Sequence, residues 1–207
     1  MGDFMDFFDL HCDTLTECMD DGDSLLKNER DIDFERGSIF GRWNQVFAVF
    51  VPDSMDDSLV EGYFDSACDF YFDELKKKGD VFPILSSEDV RGHSRGVMLA
   101  MESSRGVGSL ERLEKLYERG LRLITLTWNH KNRAAGGCDE GGGLTDWGRE
   151  LVSKMEKLGI VTDVSHLSDR SFYDLCEFSD APFIASHSDA RAVHNEVRSL
   201  TDEQIKI

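Results

Sequence analysis

What most constrains the fold of this chain is the regular succession of short apolar runs and longer segments of helical period. The runs span Phe7 to His11, Val46 to Val51, Val97 to Glu102, Leu121 to Thr127, Ile160 to Val164 and Phe183 to Ser186. They are short and rich in β-branched and aromatic residues, which favours strands over buried helices. A seventh run, Val81 to Leu85, is interrupted by Pro83 and reads as a connector. Between the runs, Leu59 to Lys78, Ser109 to Arg119, Thr145 to Leu158 and Ser168 to Phe178 carry apolar residues at helical spacing. Thr145 and Ser168 are capping residues, and Gly79, Gly120 and Gly159 are stops. Strand and helix in strict alternation means parallel strands joined by crossover helices. A doubly wound sheet and a (β/α) barrel both satisfy that order.

The polar residues at the strand ends choose between them. His11-Cys12-Asp13 sets an imidazole and a carboxylate two residues apart, on one side of an exiting strand. Glu102 closes the run Val-Met-Leu-Ala-Met, His166 follows Ile-Val-Thr-Asp-Val-Ser, and His187 follows Phe-Ile-Ala-Ser. Four strands thus end, on the C-terminal side, in groups that bind hard or borderline metals. A barrel brings those ends to one face, where such folds keep their active sites, whereas a doubly wound sheet spreads them along a line. The expected architecture is therefore an α/β TIM-type (β/α)8 barrel, formed by a single domain over residues 1–207 with about six of the eight strands. A lone strand-end histidine is ordinarily a hydrogen-bonded loop residue; the joint pattern is what points to metal. Three histidines and two carboxylates suit a two-metal site, with Glu102 central enough to bridge ions roughly 3.5–4 Å apart with a hydroxide between them. Zinc suits these ligands best, and manganese or cobalt also fit.

Composition removes other readings. Acidic residues number 41 against 23 basic ones, a net charge of −18, and this excludes a nucleic-acid binder because phosphate contacts need a basic face. No apolar stretch approaches the ~18 residues of a membrane span, and the acidic start MGDFMDFFDL is unlike a signal peptide. The five cysteines, Cys12, Cys18, Cys68, Cys138 and Cys176, form no CxxC pair and read as reduced thiols of a cytoplasmic protein. Cys12, between two candidate ligands, reads as a small buried strand residue. Ser186 and Ser188 flank His187 without a GxSxG elbow, which argues against a serine hydrolase. The glycine-rich stretch from Gly136 to Gly143 lacks the GK[ST] ending of a P-loop and is expected to be a mobile loop at the active-site face.

These motifs resemble a known family. Asp9-Leu-His-Cys-Asp-Thr14, Ala100 to Ser103, Gly120 to Asn129, Gly143 to Glu150, Leu158 to Ser168, Ala185 to Ser188 and Arg198 to Glu203 are similar, in order, to the membrane (renal-type) dipeptidases, peptidase family M19. The resemblance implies a zinc-dependent dipeptidase that hydrolyses free dipeptides through a metal-bridged hydroxide. It implies that His11 and Asp13 hold one zinc, Glu102 bridges, and His166 with His187 hold the second. Arg198 matches the family arginine that receives the substrate's C-terminal carboxylate, for which a guanidinium is suited by its bidentate geometry. Asp163 is expected to organise a neighbouring histidine rather than bind metal. Two departures stand out. Trp128 occupies the position where mammalian-type members carry a substrate-facing histidine, and His130, two residues later, is assigned no role. The family barrel has eight strands and a catalytic aspartate near the last one, for which this chain supplies no counterpart. An open six-strand barrel exposes apolar edges, so a homodimer or a second chain is expected to complete it. The alternatives are a related amidohydrolase acting on an acyl or D-amino acid amide, and a metal-binding fragment without turnover.

Overall fold

The computed structural model describes residues 5–207. The first four residues of the domain expected over 1–207 therefore lie outside the described range. In chain order the elements are β1 (Asp6–Asp9), α1 (Thr14–Asp21), α2 (Phe34–Gly37), β2 (Arg42–Phe50), α3 (Asp57–Lys76), β3 (Phe82–Pro83), α4 (Ser87–Gly92), β4 (Arg95–Glu102), α5 (Leu110–Glu118), β5 (Leu121–Thr125), α6 (Asp146–Leu158), β6 (Val161–Asp163), α7 (Asp169–Phe178), β7 (Phe183–Ile184) and α8 (Asp202–Ile205). All strand pairs are parallel, and the order β1-β2-β4-β5-β6-β7 follows the chain. That neighbour-to-neighbour order belongs to a curling barrel wall, since a doubly wound sheet reverses direction part-way across.

The six expected strands are present with shifted ends. β2 begins four residues before the apolar run, because Arg42, Trp43, Asn44 and Gln45 pair with β1 although two of them are polar amides. The connector reading of Val81 to Leu85 is corrected: Phe82–Pro83 is a short strand paired with Gly96 and Val97 of β4. Pro83 is tolerated because β3 is an edge strand only two residues long. α5, α6 and α7 start where their caps stand, with Ser109, Thr145 and Ser168 accepting from the backbone N–H groups of Arg112, Gly148 and Ser171. Gly159 closes α6 in the left-handed conformation (φ +78°). Gly79 closes nothing: α3 ends at Lys76 with Lys77 as its last cap.

Strand alternation divides the side chains between two faces. Phe47, Val49, Val97, Leu99, Met101, Leu121 and Ile124 face the helices and join a large buried core with Phe34, Phe64, Tyr71, Leu151 and Phe172. Within it the Tyr71 hydroxyl is satisfied, donating to the Val97 carbonyl at 2.9 Å. On the concave face only Val46, Ala48, Ala100 and Leu123 form a second cluster, with Leu10, Met98, Val161 and Ile184 partly buried against it. Register places Phe50, Glu102, Thr125 and Asp163 side by side one step above those residues, toward the C-terminal strand ends. The concave face is thus apolar below and polar above.

Candidate metal centre

Each cluster residue is delivered by a different strand end. After β1 the chain stays hydrogen-bonded to β2, with Cys12 N–H donating to Val46 O (3.1 Å) and Cys12 O accepting from Ala48 N–H (2.9 Å). This holds His11 and Asp13 at the concave rim. Asp13 stands at the N-terminus of α1 but its carboxylate caps nothing. Its Oδ1 is buried without a hydrogen bond, as is His11 Nδ1. Glu102 is the last residue of β4 and is 2% exposed. His166 and His187 follow β6 and β7.

The rings and carboxylates meet at one point. His166 Nε2 lies 3.1 Å from Glu102 Oε1, His187 Nε2 lies 3.4 Å from the same oxygen, and His11 Nε2 lies 3.6 Å from Oε2. His11 Nε2 is also 3.3 Å from Asp13 Oδ1. The His166 and His187 Nε2 atoms are 2.8 Å apart, and the His11 and His187 rings stack with centroids 3.8 Å apart. Ligand atoms of His11, Glu102 and His187 all fall within 4.8 Å of one another.

Outer partners hold this geometry. His166 Nδ1 meets Asn129 Oδ1 at 2.7 Å, and His187 Nδ1 meets Ser186 Oγ at 2.6 Å. Both rings therefore turn Nε2 inward. Burial opposes the Glu102 anion, yet His166, His187 and His11 around it hold its pKa well below the usual carboxylate range. Burial also disfavours the His11 cation, but Asp13 beside it and the charge of Glu102 outweigh that and raise its pKa. At His187 burial wins and the pKa falls. With Nδ1 of His166 and of His187 turned to its outer partner, both Nε2 atoms face the Glu102 carboxylate. The N/O donor set fits zinc or a similar divalent ion.

Backbone strain concentrates here. Ser103 (φ +80°) and His166 (φ +68°) are the non-glycine residues with positive φ among those described. His166 is held in that conformation by Cys138 N–H (2.9 Å) and Thr127 Oγ1 (3.2 Å), both donating to its carbonyl. The expectation of a mobile Gly136 to Gly143 loop is corrected by these contacts. Gly136 O accepts from Ser168 N–H and the Ser171 hydroxyl, and Gly136 N–H donates to Gly143 O. A Cβ on Gly137 would stand 2.4 Å from Asn129 O, so glycine serves close backbone approach rather than mobility.

The remaining candidates divide. Arg198 is half-buried at the rim and donates from Nη2 to the His187 carbonyl at 2.8 Å. Trp128 packs on Phe50 (5.2 Å) and lies 6.2 Å from the His166 ring, walling one side of the cluster. His130 is exposed and turned away, bound to Asp53 at 2.6 Å. It lines a polar cavity of about 690 Å³ with Arg105, Arg133 and Trp147, which holds none of the clustered histidines. The Cys12 thiol donates to Val46 O at 3.5 Å, and burial pushes its pKa up, away from a metal-ligating thiolate. Sequence reasoning missed Asn129, Ser186 as a histidine partner, and Thr125. Only adjacency to Trp128 and His187 marked the first two.

Residues 3–207 match the family model described as membrane dipeptidase, peptidase family M19. The chain belongs to that family. Among relatives in sequence, a protein encoded in the PQQ-III 3′ region of Acinetobacter calcoaceticus is 31% identical over 129 residues, 58% of this chain and 41% of its own length. One encoded in the pqqA 5′ region of Klebsiella pneumoniae is 32% identical over 135 residues, 59% of this chain and 50% of its own. The chain thus matches half or less of these curated relatives' length. Among solved structures, the M19 metallopeptidase called dipeptidase AC superposes with a TM-score of 0.87 at 24% identity, over 98% of this chain and 68% of that one. A Rhodobacter sphaeroides metallopeptidase bound to a phosphinate mimic of L-Ala-D-Ala gives 0.85 at 22%, over 98% and 70%. An amidohydrolase from Pseudomonas aeruginosa gives 0.71 at 20%, over 83% and 52%. The shared fold is the (β/α) barrel, of which this M19 chain forms the six-strand wall.

Proposed function

We propose that this M19 chain carries the metal centre of a metal-dependent dipeptidase, with His11 and Asp13 on one ion, His166 and His187 on a second, and Glu102 between them. The observation that supports it most is the convergence of three imidazole Nε2 atoms on one buried carboxylate that has no other partner among the described residues. Such ions, when bound, polarise the scissile carbonyl and make water a nucleophile at neutral pH. The chain's own residues do the holding. Glu102 carries the central negative charge, and Asp13 sets its Oδ1 3.3 Å from His11 Nε2 beside it. Trp128 and Phe50 form an apolar wall beside His166. Arg198 donates one N–H to the His187 carbonyl and has no acceptor for its others among the described residues, which supports its assignment as the receiver of a substrate carboxylate.

Zinc is the ion favoured by the ligand set, and free dipeptides are the substrates favoured by family membership and by the ligand of the Rhodobacter neighbour. The Pseudomonas neighbour favours a second reading, hydrolysis of another small amide such as an acyl or D-amino acid. No helix among the described residues is long and apolar enough to cross a membrane. The five cysteines are free, which favours a reducing cytoplasm. β1 and β7 each pair on one side only among the described residues, and we propose that these two edges take further strands, whether from a second copy, another chain or the rest of a longer chain. For function, the decisive measurement is metal content and hydrolysis of a panel of L,L- and L,D-dipeptides and N-acyl amino acids. Bound zinc with dipeptide turnover supports the first reading. Turnover of acyl amides alone moves it to the second, and a protein that binds no metal overturns both.

A further inference from the structure

The hydrogen-bond network behind His187 constrains where the proton of its outer nitrogen sits. Asp163 is 0% exposed and its four contacts are all donors. Oδ1 accepts from the backbone N–H groups of Ser165 (3.1 Å) and Ser186 (3.0 Å). Oδ2 accepts from the hydroxyl of Thr125 (2.7 Å) and faces that of Ser186 (2.6 Å). A carboxylate so surrounded presents only lone pairs, so the short contact to Ser186 needs the serine's proton. Ser186 has one hydroxyl proton, and with it committed to Asp163 the oxygen can only accept from His187 Nδ1, 2.6 Å away. His187 then carries a proton on Nδ1, and Nε2 is the nitrogen turned to the Glu102 cluster.

We infer that Thr125, Asp163 and Ser186 form a positioning relay that locks the tautomer and orientation of His187. Asp163 acts through Ser186, gripping both its N–H and its O–H, and does not touch the imidazole. The second hydrogen-bonded histidine is treated differently: His166 Nδ1 faces the neutral amide oxygen of Asn129, which also receives the Cys138 thiol at 3.5 Å. One ligand is therefore backed by a buried charge and the other by a neutral dipole. A charge behind the ring raises ligand basicity and removes the alternative tautomer, and outer partners of this kind carry about 10–100-fold in metal affinity. His187 N–H adds a tether by donating to Ser165 Oγ (3.1 Å), so the relay fixes the backbone of His187 as well as its ring.

The inference rests on the metal-centre reading only for its affinity arm. Two-bond 1H–15N spectra of the histidine-labelled wild-type protein, metal-free at pH 8 and zinc-loaded, read the tautomer directly. The expected result is Nδ1–H on His187 in both, and Nε2–H in the metal-free protein overturns the relay whatever the metal result. In Ser186→Ala the metal-free spectrum is expected to show tautomer exchange, zinc affinity to fall about 10–100-fold, and kcat to fall more than KM rises. Ser186→Thr, which keeps the hydroxyl, is expected to restore the Nδ1–H signal and most of the affinity. Unchanged tautomer and affinity in Ser186→Ala overturn the relay, as does a Ser186→Thr protein that folds but behaves like Ser186→Ala. A wild-type protein that shows the Nδ1–H tautomer yet takes up no zinc supports the relay and defeats the metal-centre reading.

Discussion

The two faces of the sheet are built from the same strands and follow opposite rules. On the helix side, Phe47, Val49, Leu99, Met101 and Ile124 are fully or almost fully buried among aromatic and aliphatic partners, and the Phe34 ring meets Trp43 and Phe47 edge-on at 6.4 and 6.1 Å. On the concave side four small or medium apolar residues underlie a layer of carboxylates, hydroxyls and imidazoles with unpartnered atoms and strained backbone. One face packs apolar side chains against helices, and the other gathers carboxylates and imidazoles at its strand ends. The difference teaches that residue spacing alone does not separate core from site. Phe47 and Ala48 are adjacent, yet belong to different regimes because a strand turns successive side chains to opposite faces.

Four substitutions test that division, in order of expected effect. Phe47→Ala, on the helix side, should cost about 3–5 kcal/mol of unfolding free energy in urea titrations at unchanged slope. A loss below about 1 kcal/mol would show that the helix-side core does not carry the fold. Glu102→Gln, on the concave side, should lower zinc affinity more than about 100-fold, beyond the effect of an outer partner, while destabilising the metal-free protein less than Phe47→Ala does. Isothermal titration and urea unfolding of the same sample read both, and retained affinity would break the assignment of Glu102. Ser103→Gly should relieve the positive φ directly after Glu102 and raise stability by about 1 kcal/mol, seen as an increased Tm, with zinc uptake unchanged.

The smallest effect belongs to the rim, at the exposed pair His130 and Asp53. The Asp53 hydrogen bond raises the His130 pKa above its ordinary value. A raised folded pKa means that the contribution is complete below about pH 6.5 and is lost as pH rises through the raised value. His130→Ala should therefore lower Tm slightly at pH 5.5 and leave it unchanged at pH 9, with dipeptide turnover intact. A turnover defect would instead draw His130 into the site.

Much of the fold was legible because its signals are one-dimensional. Ser109, Thr145 and Ser168 marked three helix starts, since a cap is local chemistry. β2 was read four residues short because Asn44 and Gln45 interrupt the apolar pattern, although the ladder with β1 needs only their backbones. β3 was missed because Pro83 disguises a two-residue edge strand. The mobile loop expected over Gly136 to Gly143 is a clamped one: glycine content signals close approach as readily as freedom, and only the neighbours decide which.

The sequence by itself determined the order of elements, the parallel sheet and the residues standing at its strand ends, because periodicity and capping act within a few residues along the chain. It also placed the chain in its family through motifs in that same order. Only the tertiary structure decided that His11, Glu102, His166 and His187 share one point, that Asp163 reaches His187 through Ser186, and that His130 does not join them. Those facts depend on register between strands dozens of residues apart, and on which single proton each hydroxyl has to give. Neither is written in the spacing of residues along one strand.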